Sequence, residues 1–187
     1  MNAYEALLIK ARKAVLAGEL DSAYALLDEA AKKPDGDHRH LLMRGLIYYE
    51  EEDYASALKW FKQAVKAYPH SALAWSHLSV CALRLGEVES ALEFANKAVE
   101  KKPRQGVYLD LQGRLLLLLD RPQEALESYR LALNYDSEDY DALCGACWAC
   151  LYTGFREEGE RFLLKIEDID ADNPEAGRIR SYLASMK

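Results

Sequence analysis

Residues 45–69 read GLIYYEEEDYASALKWFKQAVKAYP. On the N-terminal side of the Glu50-Glu51-Glu52-Asp53 run, Leu42, Leu46 and Tyr49 recur at helical spacing, and Leu41 and Tyr48 form a second stripe beside them. On the C-terminal side, Tyr54, Ala57, Leu58 and Phe61 fall at i, i+3, i+4 and i+7, so a second helix begins there. The acidic run interrupts both stripes and reads as a solvated turn. Pro69 lies just past the second helix, where proline ends a helix rather than interrupting it. The segment is therefore a helix–turn–helix unit. Its first helix is apolar on two adjoining sides, so it packs on its partner and on something further.

Working outward, that something is another copy of the unit. The turn position Glu52 recurs 34 residues away in both directions, as Gly18, Gly86, Asp120 and Gly154. The phase divides the chain into repeats 4–37, 38–71, 72–105, 106–139 and 140–173, with a tail of 174–187. The small residue after each turn keeps step as Ala23, Ala57, Ala91 and Ala125, with Gly159 in the fifth copy. A second small residue follows as Ala30, Ala64, Ala98 and Ala132, with Ile166 in the fifth. Small residues in such register belong where helices approach closely. Between them a bulkier slot holds Leu27, Phe61, Ala95, Tyr129 and Leu163, Ala95 being its small member. No stretch alternates with period two over a strand's length, so an all-α chain is expected.

These residues resemble the tetratricopeptide repeat (TPR), with its W-x2-L-G-x2-Y…A-x3-F…P pattern. Repeat two carries Gly45, Tyr48, Tyr54, Ala57, Phe61, Ala64 and Pro69, and repeat three carries Trp75, Leu78, Ala91, Ala98 and Pro103. Repeat four keeps Gly113, Ala125, Tyr129 and Ala132 but has Ser137 in place of the closing proline. The end copies depart further, as terminal repeats do. The resemblance implies a right-handed superhelical solenoid of antiparallel helix pairs, one domain over 1–187. In the tail, Asn173 and Pro174 read as N-cap and first turn of a capping helix, with Ile179, Leu183 and Met186 on its packed face and Arg178, Arg180 and Lys187 toward water.

Half the residues are hydrophobic, enough for a core, and no apolar run, Leu115–Leu119 among them, is long enough to cross a bilayer. No charged n-region followed by an apolar stretch opens the chain, so a cytoplasmic or other reducing interior is expected. The net charge is −7, with 14 Lys/Arg against 15 Asp/Glu in residues 1–103 and 10 against 16 in residues 104–187. An acidic chain without a basic stripe is a poor match to phosphate backbones, so no nucleic acid partner is expected. The acidity supports solubility, and its C-terminal bias would also steer a basic partner.

Cys144, Cys147 and Cys150 form C-x2-C-x2-C, which suggests part of a cluster ligand run. The repeat phase reads two of them otherwise. Cys147 shares a slot with Gly45, Ser79 and Gly113, and Cys150 shares one with Tyr48, Ala82 and Leu116, so both are packing residues. Cys144 falls toward the groove. The histidines do not cluster, and no G-x-S-x-G, phosphate-binding glycine loop or HExxH is present. Neither catalysis nor a metal nor a cofactor is expected.

In the family that these repeats resemble, the first helices line a concave face that binds peptide segments. Carried over by slot, the peptide-binding groove consists of Arg12, Arg39, Leu42, Met43, Leu46, Tyr49, His77, Val80, Arg84, Arg114 and Trp148. Further slots along the same helices hold Glu5, Leu8, Ile9, Val15, Leu73, Ser76, Leu83, Val107, Asp110, Leu111, Leu117, Asp141, Cys144, Gly145 and Leu151. The lysine/asparagine clamp with which one TPR subclass holds heat-shock chaperone tails has no counterpart at Leu8, Arg12, Leu42, Met43 and Leu46. The lining is largely apolar, punctuated by arginines, and suits an amphipathic helix or an extended segment with apolar anchors. The expected function is a non-catalytic scaffold or adaptor that binds a peptide or helical segment of a partner protein. Alternatives are a chaperone of a bacterial secretion system, or a self-assembling scaffold that forms a homo-oligomer.

Overall fold

The computed structural model describes residues 2–34, 36–170 and 172–185. Those residues form α-helices and turns, with no strand among them. The helices are α1 (Ala3–Leu16), α2 (Leu20–Ala31), α3 (Arg39–Glu50), α4 (Tyr54–Ala67), α5 (Ala72–Arg84), α6 (Val88–Lys101), α7 (Gly106–Leu118), α8 (Pro122–Tyr135), α9 (Tyr140–Thr153), α10 (Arg156–Ile169) and α11 (Pro174–Ser185). They are five pairs and a closing helix, as the repeat phase requires. The chain gathers into two compact units, Met1–Ala91 and Leu92–Lys187, with the boundary inside α6.

The turn of every pair is built the same way. Gly18, Glu52, Gly86, Asp120 and Gly154 all have positive φ, between 56° and 81°. The N–H of the next residue then reaches back five positions. Glu19 donates to the carbonyl of Ala14, Asp53 to Tyr48, Glu87 to Ala82, Arg121 to Leu116 and Phe155 to Cys150, at 2.8–2.9 Å. This is a Schellman ending, which satisfies the last carbonyls of the first helix. Asp53 then also caps α4, its carboxylate accepting from the Ser56 N–H at 3.0 Å. Two of the five left-handed positions are not glycine. Left-handed backbone costs a residue with a Cβ about 1–2 kcal/mol, so Glu52 and Asp120 are held there by the packing of the helices on either side.

The slots defined by the period are the core. In the first unit Ala23, Leu27, Ala30, Ala57, Phe61, Ala64 and Ala91 are buried, and in the second Ala95, Ala98, Ala125, Tyr129, Ala132, Leu163 and Ile166 are. Small residues in the first helices leave room for the rings. A Cβ on Gly45 would stand 2.7 Å from the Phe61 ring, and one on Gly113 2.6 Å from Tyr129. The same slot holds Ser79 and Cys147, each of which donates to a carbonyl of the partner helix, Ser79 Oγ to Ala91 at 2.8 Å and Cys147 Sγ to Gly159 at 3.1 Å. Cys147 and Cys150 are fully buried, and burial pushes both thiols up to about 12. They pack as small apolar groups.

α11 closes the second unit. Asn173 Oδ1 accepts from the Glu175 N–H at 2.9 Å, and Ala176, Ile179 and Leu183 pack on Leu143, Cys147, Leu151, Leu163 and Ile166. Each large side chain buried there contributes about 1.5–3 kcal/mol. Arg178 and Arg180 are exposed as expected. Met186 and Lys187, assigned to the two faces of this helix, lie outside the described residues.

Candidate first-helix binding site

In the first unit, α1, α3 and α5 present the predicted slots. Arg12 is exposed, with no ion-pair partner among the described residues. Arg39 is tied down: its Nε lies 2.7 Å from Asp37 Oδ2, its Nη2 is 3.8 Å from Glu5, and its guanidinium sits over the Tyr4 ring at 5.5 Å. Arg84 lies over Tyr54 at 5.9 Å. Leu46, Tyr49 and Val80 are half-buried, and Met43 packs partly against the core. His77 stacks flat on Phe61, with centroids 5.0 Å apart, and burial lowers its pKa. The ring thus packs over the core residue Phe61. Leu42 is a correction: with 8% of its surface exposed, it belongs to the packing between helices and is not offered to a ligand. Leu8 is buried in the same way. Ile9 and Leu73, at neighbouring slots, are 47% and 48% exposed.

The repeat slots did not single out Arg44, on the other side of α3. Its guanidinium lies 4.6 Å from the Trp60 ring centroid and 5.7 Å from Tyr24. Its Nη2 donates to the Tyr24 carbonyl and to Asp28. This cluster joins α2, α3 and α4 and is structural.

In the second unit the predicted slots converge on an open pocket of about 390 Å3. α7 supplies Asp110, Arg114 and Leu117, and α9 supplies Tyr140, Asp141, Cys144, Gly145 and Trp148. Tyr129 of α8 and Glu175 of α11 complete the lining. Trp148 is half-buried, and its indole Nε1 donates to Glu175 Oε1 at 2.7 Å. Its ring stacks near Tyr152 and meets Tyr182 edge-on. Arg114 reaches Asp110 only at 3.9 Å and remains largely exposed.

The electrostatics of the pocket are uneven. Burial pushes the Asp110 carboxyl up to about 6, with Asp141 and Asp139 adding to the shift and Arg114 opposing it. The Tyr129 ring is fully buried, and its hydroxyl has no hydrogen-bond partner among the described residues. Burial raises its pKa, and so does the charge of Asp110. The Tyr140 hydroxyl is also enclosed, beside the Cys144 thiol, and burial raises both. Among the described residues, no three His, Cys, Asp or Glu side chains converge in the manner of metal ligands. The period assigned Tyr129 to the aromatic core slot, and Glu175 belongs to no repeat. Neither could be read as pocket lining without the tertiary contacts.

Residues 42–105 match the family model of the tetratricopeptide repeat. Among curated relatives, the chain is 26% identical over 102 residues to Hsp70-Hsp90 organizing protein 3 of Arabidopsis thaliana, a match over 54% of this chain and 18% of that protein. It is 25% identical over 177 residues to TPR repeat-containing protein MJ1428 of Methanocaldococcus jannaschii, over 85% of this chain and 31% of that protein. The chain thus spans less than a third of the length of either. Among solved structures, a tetratricopeptide repeat protein from Parabacteroides merdae superposes with a TM-score of 0.83 at 22% identity, over 98% of this chain and 73% of that one. YrrB, described as a TPR protein with an unusual peptide-binding site, superposes with a TM-score of 0.79 at 23% identity, over 94% and 90%. At these identities the superpositions show the fold. No helix among the described residues is long and apolar enough to cross a membrane.

Proposed function

We propose that this chain, a tetratricopeptide repeat protein of five helix pairs and a closing helix, is a non-catalytic adaptor of the cytoplasm that holds a segment of a partner protein on its first helices, with residues 1–187 working as one domain. One observation carries the reading. At slots along the first helices, apolar side chains that have no core to fill remain open: Ile9 and Leu73 in the first unit are 47% and 48% exposed, and Val107 in the second is 61% exposed. Where such side chains adjoin one another, open apolar surface marks a place where another molecule sits. Half-buried Leu46, Tyr49 and Val80 of the first unit are further anchors, and Arg12, Arg84 and Arg114 offer charge at the margin. Such a surface suits an apolar helix face or an extended strand of partner. A net charge of −7 favours protein over nucleic acid as that partner.

The relatives support the class of partner, since one is named an Hsp70-Hsp90 organizing protein and one solved structure is described by its peptide-binding site. They do not extend to heat-shock tails here, because Leu8, Arg12, Leu42, Met43 and Leu46 supply no lysine/asparagine clamp. The test is capture from a native lysate by the immobilised chain. The wild type is expected to recover one or a few proteins. Leu46→Glu and Val80→Glu, checked for unchanged helicity, are expected to lose them. Capture that survives both substitutions would refute the site. A light-scattering mass of a dimer or larger, abolished by the same substitutions, would point to a self-assembling scaffold instead.

A further inference from the structure

We propose that the pocket between α7 and α9 receives a cationic side chain, lysine or arginine, from the bound protein segment. The inference rests on the reading of the first helices as a protein-binding surface and adds the chemistry of one subsite. Three carboxylates line the pocket, Asp110, Asp141 and Glu175, against one cation, Arg114. Glu175 is already engaged by the Trp148 indole and by Arg178 at 3.1 Å. Asp141 has no ion-pair partner among the described residues, and Asp110 has only the loose contact with Arg114 at 3.9 Å. The side chain of Arg114 is 68% exposed, so it can leave without exposing any core.

The floor supplies a second observation. Tyr129, one of the lining residues, is fully buried, and its hydroxyl has no hydrogen-bond partner among the described residues. A buried hydroxyl ordinarily finds a partner. An ammonium or guanidinium group would pair with Asp110 and Asp141 and, once the lining shifts to admit it, donate to the tyrosine oxygen as well. The aromatic side chains of Trp148 and Tyr140 and the apolar Leu117 line the same pocket and can cover the methylene stem. An anion would meet more carboxylate than arginine, and a neutral apolar group would leave both Asp110 and the tyrosine hydroxyl uncompensated. The volume of about 390 Å3 is ample for one such side chain.

The experiment uses the full chain, labelled for amide and indole nuclear magnetic resonance. It is titrated to millimolar concentrations with four capped tripeptides, Ala-Lys-Ala, Ala-Arg-Ala, Ala-norleucine-Ala and Ala-Glu-Ala. The lysine or arginine peptide is expected to shift the Trp148 indole and Gly145 amide signals saturably, while the norleucine and glutamate peptides leave them in place. Asp110→Asn with Asp141→Asn should weaken that binding about tenfold or more, and Arg114→Gln should tighten it. If the double variant fails to fold, Asp110→Asn alone is scored in the same way. No saturable shift with either cationic peptide, or an equal response to norleucine, overturns the proposal. Binding of butylammonium without binding of the tripeptides also overturns it, in favour of a small-amine site. The adaptor reading is scored separately, by lysate capture and the Leu46 and Val80 variants, so either can fail while the other stands.

Discussion

The ring of Tyr129 occupies the space that a side chain at Gly145 would need. A Cβ at Gly145 would overlap Tyr129 Cζ, and α9 runs past the ring only because that position is bare. The ring belongs to the core slot of repeat four, while Gly145 belongs to the first helix of repeat five. The contact is thus one of those that lock successive repeats together and at the same time shape the pocket floor.

Gly145→Ala is therefore expected to destabilise the chain by about 1–3 kcal/mol, the cost of overpacking, although alanine is the better helix former. A methyl group added at Gly177, inside α11, would meet nothing within 4 Å. Gly177→Ala is expected to stabilise by about 0.5–1 kcal/mol. Urea unfolding followed by circular dichroism separates the two, and equal signs would show that the Tyr129 contact is not tight.

Glu52 and Asp120 adopt φ of 59° and 56° where the other three turns have glycine. Replacing either with glycine keeps the Schellman bonds and removes the clash of the Cβ. A gain of about 1 kcal/mol is expected at Glu52 and less at Asp120, since aspartate tolerates this region better. Gly86→Ala, the reverse change, should cost a similar amount. Thermal midpoints that rank Glu52→Gly above wild type and Gly86→Ala below it would confirm the shared turn.

Asp110 makes the fold sensitive to pH in a direction opposite to most carboxylates. Its pKa is raised from 3.8 to about 6 by burial first, with Asp141 and Asp139 adding and Arg114 opposing. The folded chain therefore binds this proton more tightly than the unfolded chain. The stabilising effect of the proton is complete below pH ~4 and is lost as pH rises through ~6, amounting to roughly 1–3 kcal/mol. Asp110→Asn should remove this slope and leave the chain more stable than wild type at pH ~8. The wild-type-minus-variant difference in unfolding free energy, measured at several pH values, isolates it from the other carboxylates. A flat difference would mean that Asp110 is solvated. A residue that lowers stability at the working pH is one that a binding site has reason to keep.

Arg44 should not be replaceable by lysine. Its planar guanidinium lies over Trp60 while Nη2 bonds Asp28 and the Tyr24 carbonyl, with 15% of its side chain exposed. Arg44→Ala is expected to cost about 2 kcal/mol, and Arg44→Lys to recover less than half, because an ammonium cannot stack and reach both oxygens at once. Recovery to wild-type stability by lysine would show that charge alone matters.

The period was enough to place the helix pairs, the five turns, the core slots and the packing roles of Cys147 and Cys150, because each follows from local periodicity repeated five times. The groove slots were legible only as positions along a helix. Arg39 and Leu42 show the limit: the same register predicts both to face a ligand, but Asp37 and Glu5 hold one and the neighbouring helices bury the other.

Periodicity is a one-dimensional property, and 187 residues with a repeat of 34 carry it in full. It determined that the chain is all-helical, where each pair turns, and which recurring slots fill the core of each pair. What sits across from Asp110 is set by helices that are distant in sequence. Only the packing of α7, α8, α9 and α11 brings to one place the Trp148 ring, a Tyr129 hydroxyl and two carboxylates that have no close partner among the described residues. Burial in that place then gives Asp110 and Tyr129 their altered affinity for protons, a property of surroundings that no residue carries in its own name.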